Sequence, residues 1–383
     1  MPFTMPTIDL DEFHRDLPRS VPIGSDRFDD LRPLAFVLPD GRSVTYRVVD
    51  GAVEWSTGTA ADAATVIAID GDSFGTFALE YLTAPALQIQ QRIAFTSGGF
   101  GGLDRWEPVL RLLYVGRPVY EPSRIDRSTL DREFVWGEDP IEAIGAHYRE
   151  HGFAIVRRVF DVAEIADLDA EIDRLAATAD PDDGESWWVA SGDEDRVCQV
   201  HFASLTSPVI DRLERDERIA RLVAEIDPGF VAHPTTGVGH FVVIKNPGLT
   251  GGLTDLAWHV DCGLGGHPVM CPSMHIGVQV RAMTPESGPM MFLAGSHRTS
   301  PVRPVGDEER DWPVVTVTAE PGDITLHSPD AVHAAPPPTG AVEGRRTVYL
   351  SFGRPELSEV FGHKEGYDHI IFPREGHVSF DAE

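Results

Sequence analysis

The chain has 383 residues and a mass of 42.0 kDa, with 42% apolar and 24% charged residues, a folded-protein profile with room for two domains. Its formal charge of −29 and pI near 4.8 argue against nucleic acid and anionic membrane surfaces as partners. Cys198, Cys262 and Cys271 are odd in number and lack CxxC spacing, so neither a disulfide framework nor a zinc knuckle is expected.

Residues Met1 to Leu10 have no basic stretch followed by a long apolar core, so no signal peptide is read there. No run reaches the length of a membrane span. With the cysteine usage, this predicts a soluble, cytoplasmic protein. From Ile8 to about Tyr120 the pattern is mixed. Leu34 to Leu38, Ser43 to Val49, Ala52 to Ser56 and Thr65 to Ile69 read as short strands, with turns at Pro39-Asp40-Gly41 and Asp50-Gly51. Gly75 to Leu87 and Trp106 to Val115 read as amphipathic helices. Gly98-Gly99 and Gly101-Gly102 lack the following Lys-Ser/Thr of a phosphate loop and read as a loop. Glu121 to Glu138, charged and aperiodic, reads as a linker. The expected division is therefore a first domain over 1–120, a linker over 121–138 and a second domain over 139–383.

Beyond the linker, Asp139 to His151 reads as a helix closed by Gly152, Phe153 to Val156 as a strand, and Val162 to Ala177 as a helix with Ile165, Leu168, Ile172 and Leu175 on one stripe. Short strands with Pro and Gly punctuation then follow from Gly239 to Phe352, which favours a double-sheet jelly roll. Among them stands Ala257-Trp258-His259-Val260-Asp261. Strand side chains alternate with period 2, so His259 and Asp261 share a face and suit adjacent corners of a metal. A second His from a distant strand would complete the two-His-one-carboxylate face of a non-haem iron oxygenase. Two other His-x-acid tripeptides, His14-Arg15-Asp16 and His363-Lys364-Glu365, lie in polar surroundings and are set aside.

The succession WHVD, PESGPMMFLAGSHR, PGDITLHSPDAVHAAPP and RRTVYLSF, with the earlier YREHGFAIVRRVFDVAEIADL, resembles the phytanoyl-CoA dioxygenase family of Fe(II)/2-oxoglutarate oxygenases over about Ile141 to Pro355. The resemblance implies that His259, Asp261 and His333 bind iron, with His327 at a position that is usually not a ligand. It implies a clamp for the far carboxylate of 2-oxoglutarate at Arg345, with Arg346 as the alternative, and a supporting role for Lys245. Two adjacent strand residues face opposite ways, so only one of the two arginines can serve. Ala334-Ala335 stand where the family often has Gly-Ser, removing one hydroxyl contact. O2 would be the oxidant, and the retained Asp261 favours hydroxylation over halogenation, with desaturation, epoxidation and cyclisation open. Substrate contacts are expected from His267, Cys262, Met270 and Trp188, and the substrate is expected to be an apolar small molecule.

The N-terminal pieces Phe36-Val37-Leu38, Arg47-Val48-Val49-Asp50-Gly51 and Ala61-Asp62-Ala63 resemble a sterol-carrier-protein-2-like domain, which implies a lipid-accommodating α/β module. The expected fold class is thus α+β: a small α/β domain followed by a jelly roll with flanking helices. A lipid carrier without catalysis is the competing reading, and a homo-oligomer is compatible with either.

Overall fold

A computed structural model of the chain describes residues 8–191, 194–235, 238–249, 254–261, 273–300, 311–339 and 344–355. The chain divides into two compact units, one built mainly on the residues up to Arg124 and the other on most of the remainder.

The first unit is a six-stranded sheet with helices on it. Its strands are β1 (Ser20–Pro22), β2 (Leu34–Val37), β3 (Ser43–Val49), β4 (Ala52–Thr57), β5 (Thr65–Ile69) and β6 (Ile93–Ser97), in the order β1-β4-β3-β2-β5-β6. The turn at Asp50-Gly51 forms as expected: both residues take positive φ, 50° and 73°, the geometry that joins tight hairpins without splaying the strands. The single helix expected over Gly75 to Leu87 is instead two, α2 (Gly71–Ala78) and α3 (Ala84–Ile89). Glu80 takes φ 63°, and Thr83 accepts from Ala86 N as a new N-cap with Pro85 behind it, so the chain restarts rather than continues. Helix α4 (Phe100–Val115) begins earlier than expected and takes Gly101 and Gly102 into its first turn.

The second unit carries two sheets. The larger is built from β7 (Phe134–Val135), β8 (Phe153–Arg157), β9 (Ser186–Ser191), β10 (Glu194–Val200), β11 (Val231–Ala232), β12 (Phe241–Ile244), β14 (Ser273–Arg281), β17 (Ile324–His327) and β19 (Arg346–Gly353). It runs β7-β8-β17-β14-β19-β12-β10-β9, with β11 beside β19. The smaller is β13 (Leu256–His259), β18 (His333–Ala335), β15 (Met291–Leu293) and β16 (Val314–Thr316), in that order. Phe134–Val135, within the stretch read as linker, is a buried strand parallel to β8.

Alternation sorts the faces of the large sheet. Ile276, Val278, Leu326, Val348 and Leu350 point to one side, where the stripe Ile165, Leu168, Ile172 and Leu175 of a helix (Val162–Thr178) covers them. That helix opens with a capping box between Asp161 and Glu164. Phe153, Ile155, Phe241, Val243 and Tyr349 point to the other side and share a core with Met290, Phe292 and Val315 from the small sheet and its approach. Phe153 and Phe292 stack across the two sheets at 5.0 Å between centroids. This inner face is where polar residues also collect: His275, Gln279, Thr325, His327, Thr347 and Ser351 alternate with the apolar outer set.

A helix (Ile141–His151) ends at Gly152, whose φ of +84° closes it through Gly152 N to Tyr148 O. On it His147 is buried against Phe134 and Phe153 and close to His151, with no hydrogen-bond partner for Nε2 among the described residues. Burial first, and then the His151 and Arg132 charges, push its pKa from 6.5 to about 4. The unfolded chain therefore binds the proton first, so stability falls as pH drops from 6.5 toward 4 and then levels. At about 1.4 kcal/mol per pH unit, the loss expected from this residue is about 3 kcal/mol. Denaturant unfolding across that pH range is expected to show a markedly shallower fall in His147→Phe than in the wild type.

Candidate metal centre

The two strands that end the small sheet bring distant histidines together. His259 closes β13 and His333 opens β18, and the antiparallel register sets them directly opposite. Their rings lie 4.2 Å apart between centroids. His259 Nδ1 is 2.7 Å from Ala257 O, and His333 Nδ1 is 2.9 Å from Ala331 O. A carbonyl only accepts, so each Nδ1 carries a proton, and in the neutral ring the lone pair is then on Nε2. Tying one ring nitrogen to the backbone is how ligating imidazoles are oriented. Asp261 follows two residues after His259, and ligand atoms of His259, Asp261 and His333 lie within 4.8 Å of one another. His333 is buried, His259 half-buried and Asp261 exposed, so the set opens to solvent on the carboxylate side. Two imidazoles and a carboxylate are the donor set of a borderline divalent metal such as Fe(II).

His327 lies behind this set, its ring 5.4 Å from that of His333. It is paired across strands with His275, a residue the sequence reading passed over. The available signal was the alternation in Met274 to Val280, which puts His275 on the inner face of a central strand where apolar residues are the norm.

Arg345 and Arg346 face opposite ways. Arg346 is bound at 2.7 Å to Asp169 and at 2.7 Å to Asp173, on the helical side of the sheet. Arg345 points inward and is 2% exposed. Among the described residues the only hydrogen-bond partner of its side chain is Met283 Sδ, 3.7 Å from Nη1, while Nε has none. Burial lowers its pKa, yet a guanidinium stays charged in any protein interior. A buried cation without a counter-anion is costly, by several kcal/mol, and an incoming carboxylate would relieve that cost.

Lys245 does not snorkel at a sheet edge. It is 1% exposed and donates to Thr254 O at 2.9 Å, Ala335 O at 2.6 Å and Pro336 O at 2.6 Å. Burial and the nearby Arg345 charge push its pKa down to about 6. Three carbonyl acceptors nevertheless require three protons, which only the ammonium form has. Its donors are spent on the approach to β13 and the exit of β18, which ties it to both histidine strands. Gly288, with φ +74°, makes room for it: a Cβ there would lie 2.9 Å from Lys245 Cδ.

Trp187 and Trp188 sit on a hairpin, β9–β10, that the sequence did not disclose. Trp188, the expected substrate contact, packs on the helical side of the sheet and donates to Ser186 Oγ at 2.9 Å. Its register therefore points it away from the histidines. Trp187 pairs with Gln199, which pairs with Val243, so it shares the inner face and packs with Val189, Cys198 and Leu249. Cys262, His267 and Met270 lie outside the described residues.

Residues 148–347 match the phytanoyl-CoA dioxygenase (PhyH) family model, more than half of the sequence. The chain belongs to the phytanoyl-CoA dioxygenase family. It is 26% identical over 198 residues to an ectoine dioxygenase of Nocardia farcinica, covering 51% of this chain and 63% of that protein. The corresponding figures for one of Bordetella parapertussis are 28% over 214 residues, 51% and 65%. The matches thus span less than two thirds of these relatives. Among solved structures, EctD of S. alaskensis with 2-oxoglutarate and 5-hydroxyectoine aligns at 23% identity over 69% of this chain and 92% of that one, TM-score 0.49. The epimerase SnoN of nogalamycin biosynthesis aligns at 24% over 56% and 83%, TM-score 0.44.

Replacing Lys245 by Met keeps the stem and strands three carbonyls in the interior, at about 1–3 kcal/mol for each group left unsatisfied. Lys245→Met is expected to lose at least about 3 kcal/mol of stability in urea unfolding. Gly288→Ala is expected to act in the same direction by crowding the stem.

Proposed function

We propose that the protein is a non-haem Fe(II)/2-oxoglutarate-dependent oxygenase that hydroxylates a small molecule. The observation that carries this reading is the meeting of two Nε2-presenting imidazoles, His259 and His333, with Asp261. Those three would hold the iron. When bound there, Fe(II) supplies the redox chemistry that couples oxidation of 2-oxoglutarate by O2, giving succinate and carbon dioxide, to oxidation of the substrate.

The protein's own part is orientation. The backbone carbonyls of Ala257 and Ala331 fix the two rings, and Asp261 would supply the third protein ligand. Arg345, buried and without a carboxylate among the described residues, fits the far carboxylate of 2-oxoglutarate in a bidentate pair. Arg346 is committed to Asp169 and Asp173, which supports Arg345 as the clamp. Lys245 would act one step back, holding the histidine strands in register.

An apolar or partly apolar substrate is supported by the inner wall of Trp187, Val189, Phe241 and Val243. Ectoine, which gives the matched relatives their name, belongs in the same substrate panel. Cys262, His267 and Met270 follow Asp261 closely in sequence and remain our choice for further contacts. We read residues 1–120 as a sterol-carrier-protein-2-like accessory domain, 121–138 as the connection and 139–383 as the jelly-roll catalytic domain. We place the protein in the cytoplasm, as a monomer or homo-oligomer. No helix among the described residues is long and apolar enough to cross a membrane.

Anaerobic addition of Fe(II) and then 2-oxoglutarate to metal-free protein is expected to give the visible charge-transfer band of the chelate. His333→Ala is expected to abolish the band and His327→Ala to keep it. Loss of a buried ion pair costs about 3–5 kcal/mol, so Arg345→Ala should need at least tenfold more 2-oxoglutarate. Folded wild type without a band would refute the reading.

A further inference from the structure

Asp261 belongs to a second group of potential ligands. Ligand atoms of Asp261, His275 and His327 also lie within 4.8 Å of one another, and this set shares only the carboxylate with His259 and His333. His275 and His327 stand directly opposite on the antiparallel strands β14 and β17, with ring centroids 5.2 Å apart. Directly opposed strand residues project from one face, so two imidazoles are presented side by side, as they are in the first set.

The tautomer of His275 follows from its neighbours. The Ser351 hydroxyl donates to Gly239 O at 3.0 Å, so toward His275 Nδ1, also at 3.0 Å, it accepts. Nδ1 then carries a proton, and in the neutral ring Nε2 has the lone pair, the ligating form, held by a hydrogen bond of the kind that orients metal-bound histidines. His327 is 3% exposed, with Phe292 at 5.5 Å and Tyr349 at 5.9 Å between centroids. Strand pairing does not need these rings, and apolar side chains would fill such a layer without burying polar nitrogen.

We propose that His275, His327 and Asp261 form a second site for a borderline divalent cation of the Zn(II) or Co(II) kind, adjacent to the first and sharing its carboxylate. Imidazole and carboxylate donors suit such ions. The two oxygens of Asp261 allow one to each cation, so both sets fill together at saturation. The site shares Asp261 with the proposed iron set and so rests in part on that reading, while His275 and His327 belong to the second set alone.

The test is anaerobic Co(II) titration of metal-free protein, followed by visible absorption and by metal analysis after dialysis. Wild type is expected to take two equivalents, and His275→Ala/His327→Ala one. The variant His259→Ala/His333→Ala is expected to keep one equivalent, lost when His275→Ala is added. Ser351→Ala is expected to weaken the second equivalent by roughly tenfold and leave the first unchanged. If folded His259→Ala/His333→Ala takes up no cobalt, or keeps it after His275→Ala is added, the second site is refuted. Should that variant not fold, wild type decides: a single equivalent, unchanged in His275→Ala/His327→Ala, refutes it too. Because each pair is removed separately, failure of the second site and failure of the iron set give different results.

Discussion

Lys245 holds three backbone carbonyls in the dry interior, and both histidine-bearing strands hang on it. Thr254 lies just before β13, which ends in His259, while Ala335 and Pro336 follow His333 on and after β18. A lysine in this position exchanges a large desolvation cost for three charge-assisted hydrogen bonds. The return is geometric. β13 and β18 are four and three residues long, too short to fix their own register firmly, yet their first and last residues must meet to a fraction of an ångström. Gly288 belongs to the same device, since no larger residue leaves space for the lysine stem.

The second organising constraint is the distribution of charge through the large sheet. Arg281 and Arg346 are tied to Asp169, and Arg157 to Asp323 and Glu133, which leaves each of these paired. Arg345 differs: among the described residues its side chain is hydrogen-bonded to a thioether alone. A methionine sulfur is soft and weakly accepting, so it occupies the space beside a guanidinium without competing with an incoming carboxylate. The polar layer of Gln279, Thr325 and Thr347, buried and mutually bonded, lines the inner face between Arg345 and the histidines.

In the first unit the same economy builds a packed core with one polar thread. His14 donates from Nδ1 to Leu10 O, so its Nε2 accepts from Tyr46, whose oxygen accepts in turn from Tyr114. Every member is satisfied, which is the condition under which such a chain stiffens a core instead of weakening it. His14, in a His-x-acid tripeptide, is consequently a structural residue: it lies on a helix (Leu10–Asp16), where residues two apart do not share a face.

Periodicity and turn chemistry made much of this legible in the sequence alone. Period-2 runs marked β3, β14 and β19, and Asp50-Gly51 marked a hairpin by demanding two positive φ angles. The stripe Ile165 to Leu175 marked a helix. His259-x-Asp261 on a strand announced a ligand pair because alternation puts both on one face. The restart at Thr83-Ala84-Pro85 was written there too, as a cap and a proline, but helical periodicity on both sides concealed it. What the tertiary structure decided are matters of partner and parity. Strand alternation says that Arg345 and Arg346 diverge, while only packing says which one faces the interior; the same holds for Trp187 and Trp188. His275 meets His327, and His259 meets His333, through cross-strand register, which joins residues 52 and 74 positions apart. No local rule carries information over that distance. The residue types at a site are therefore set by the sequence, and their company is set by the sheet.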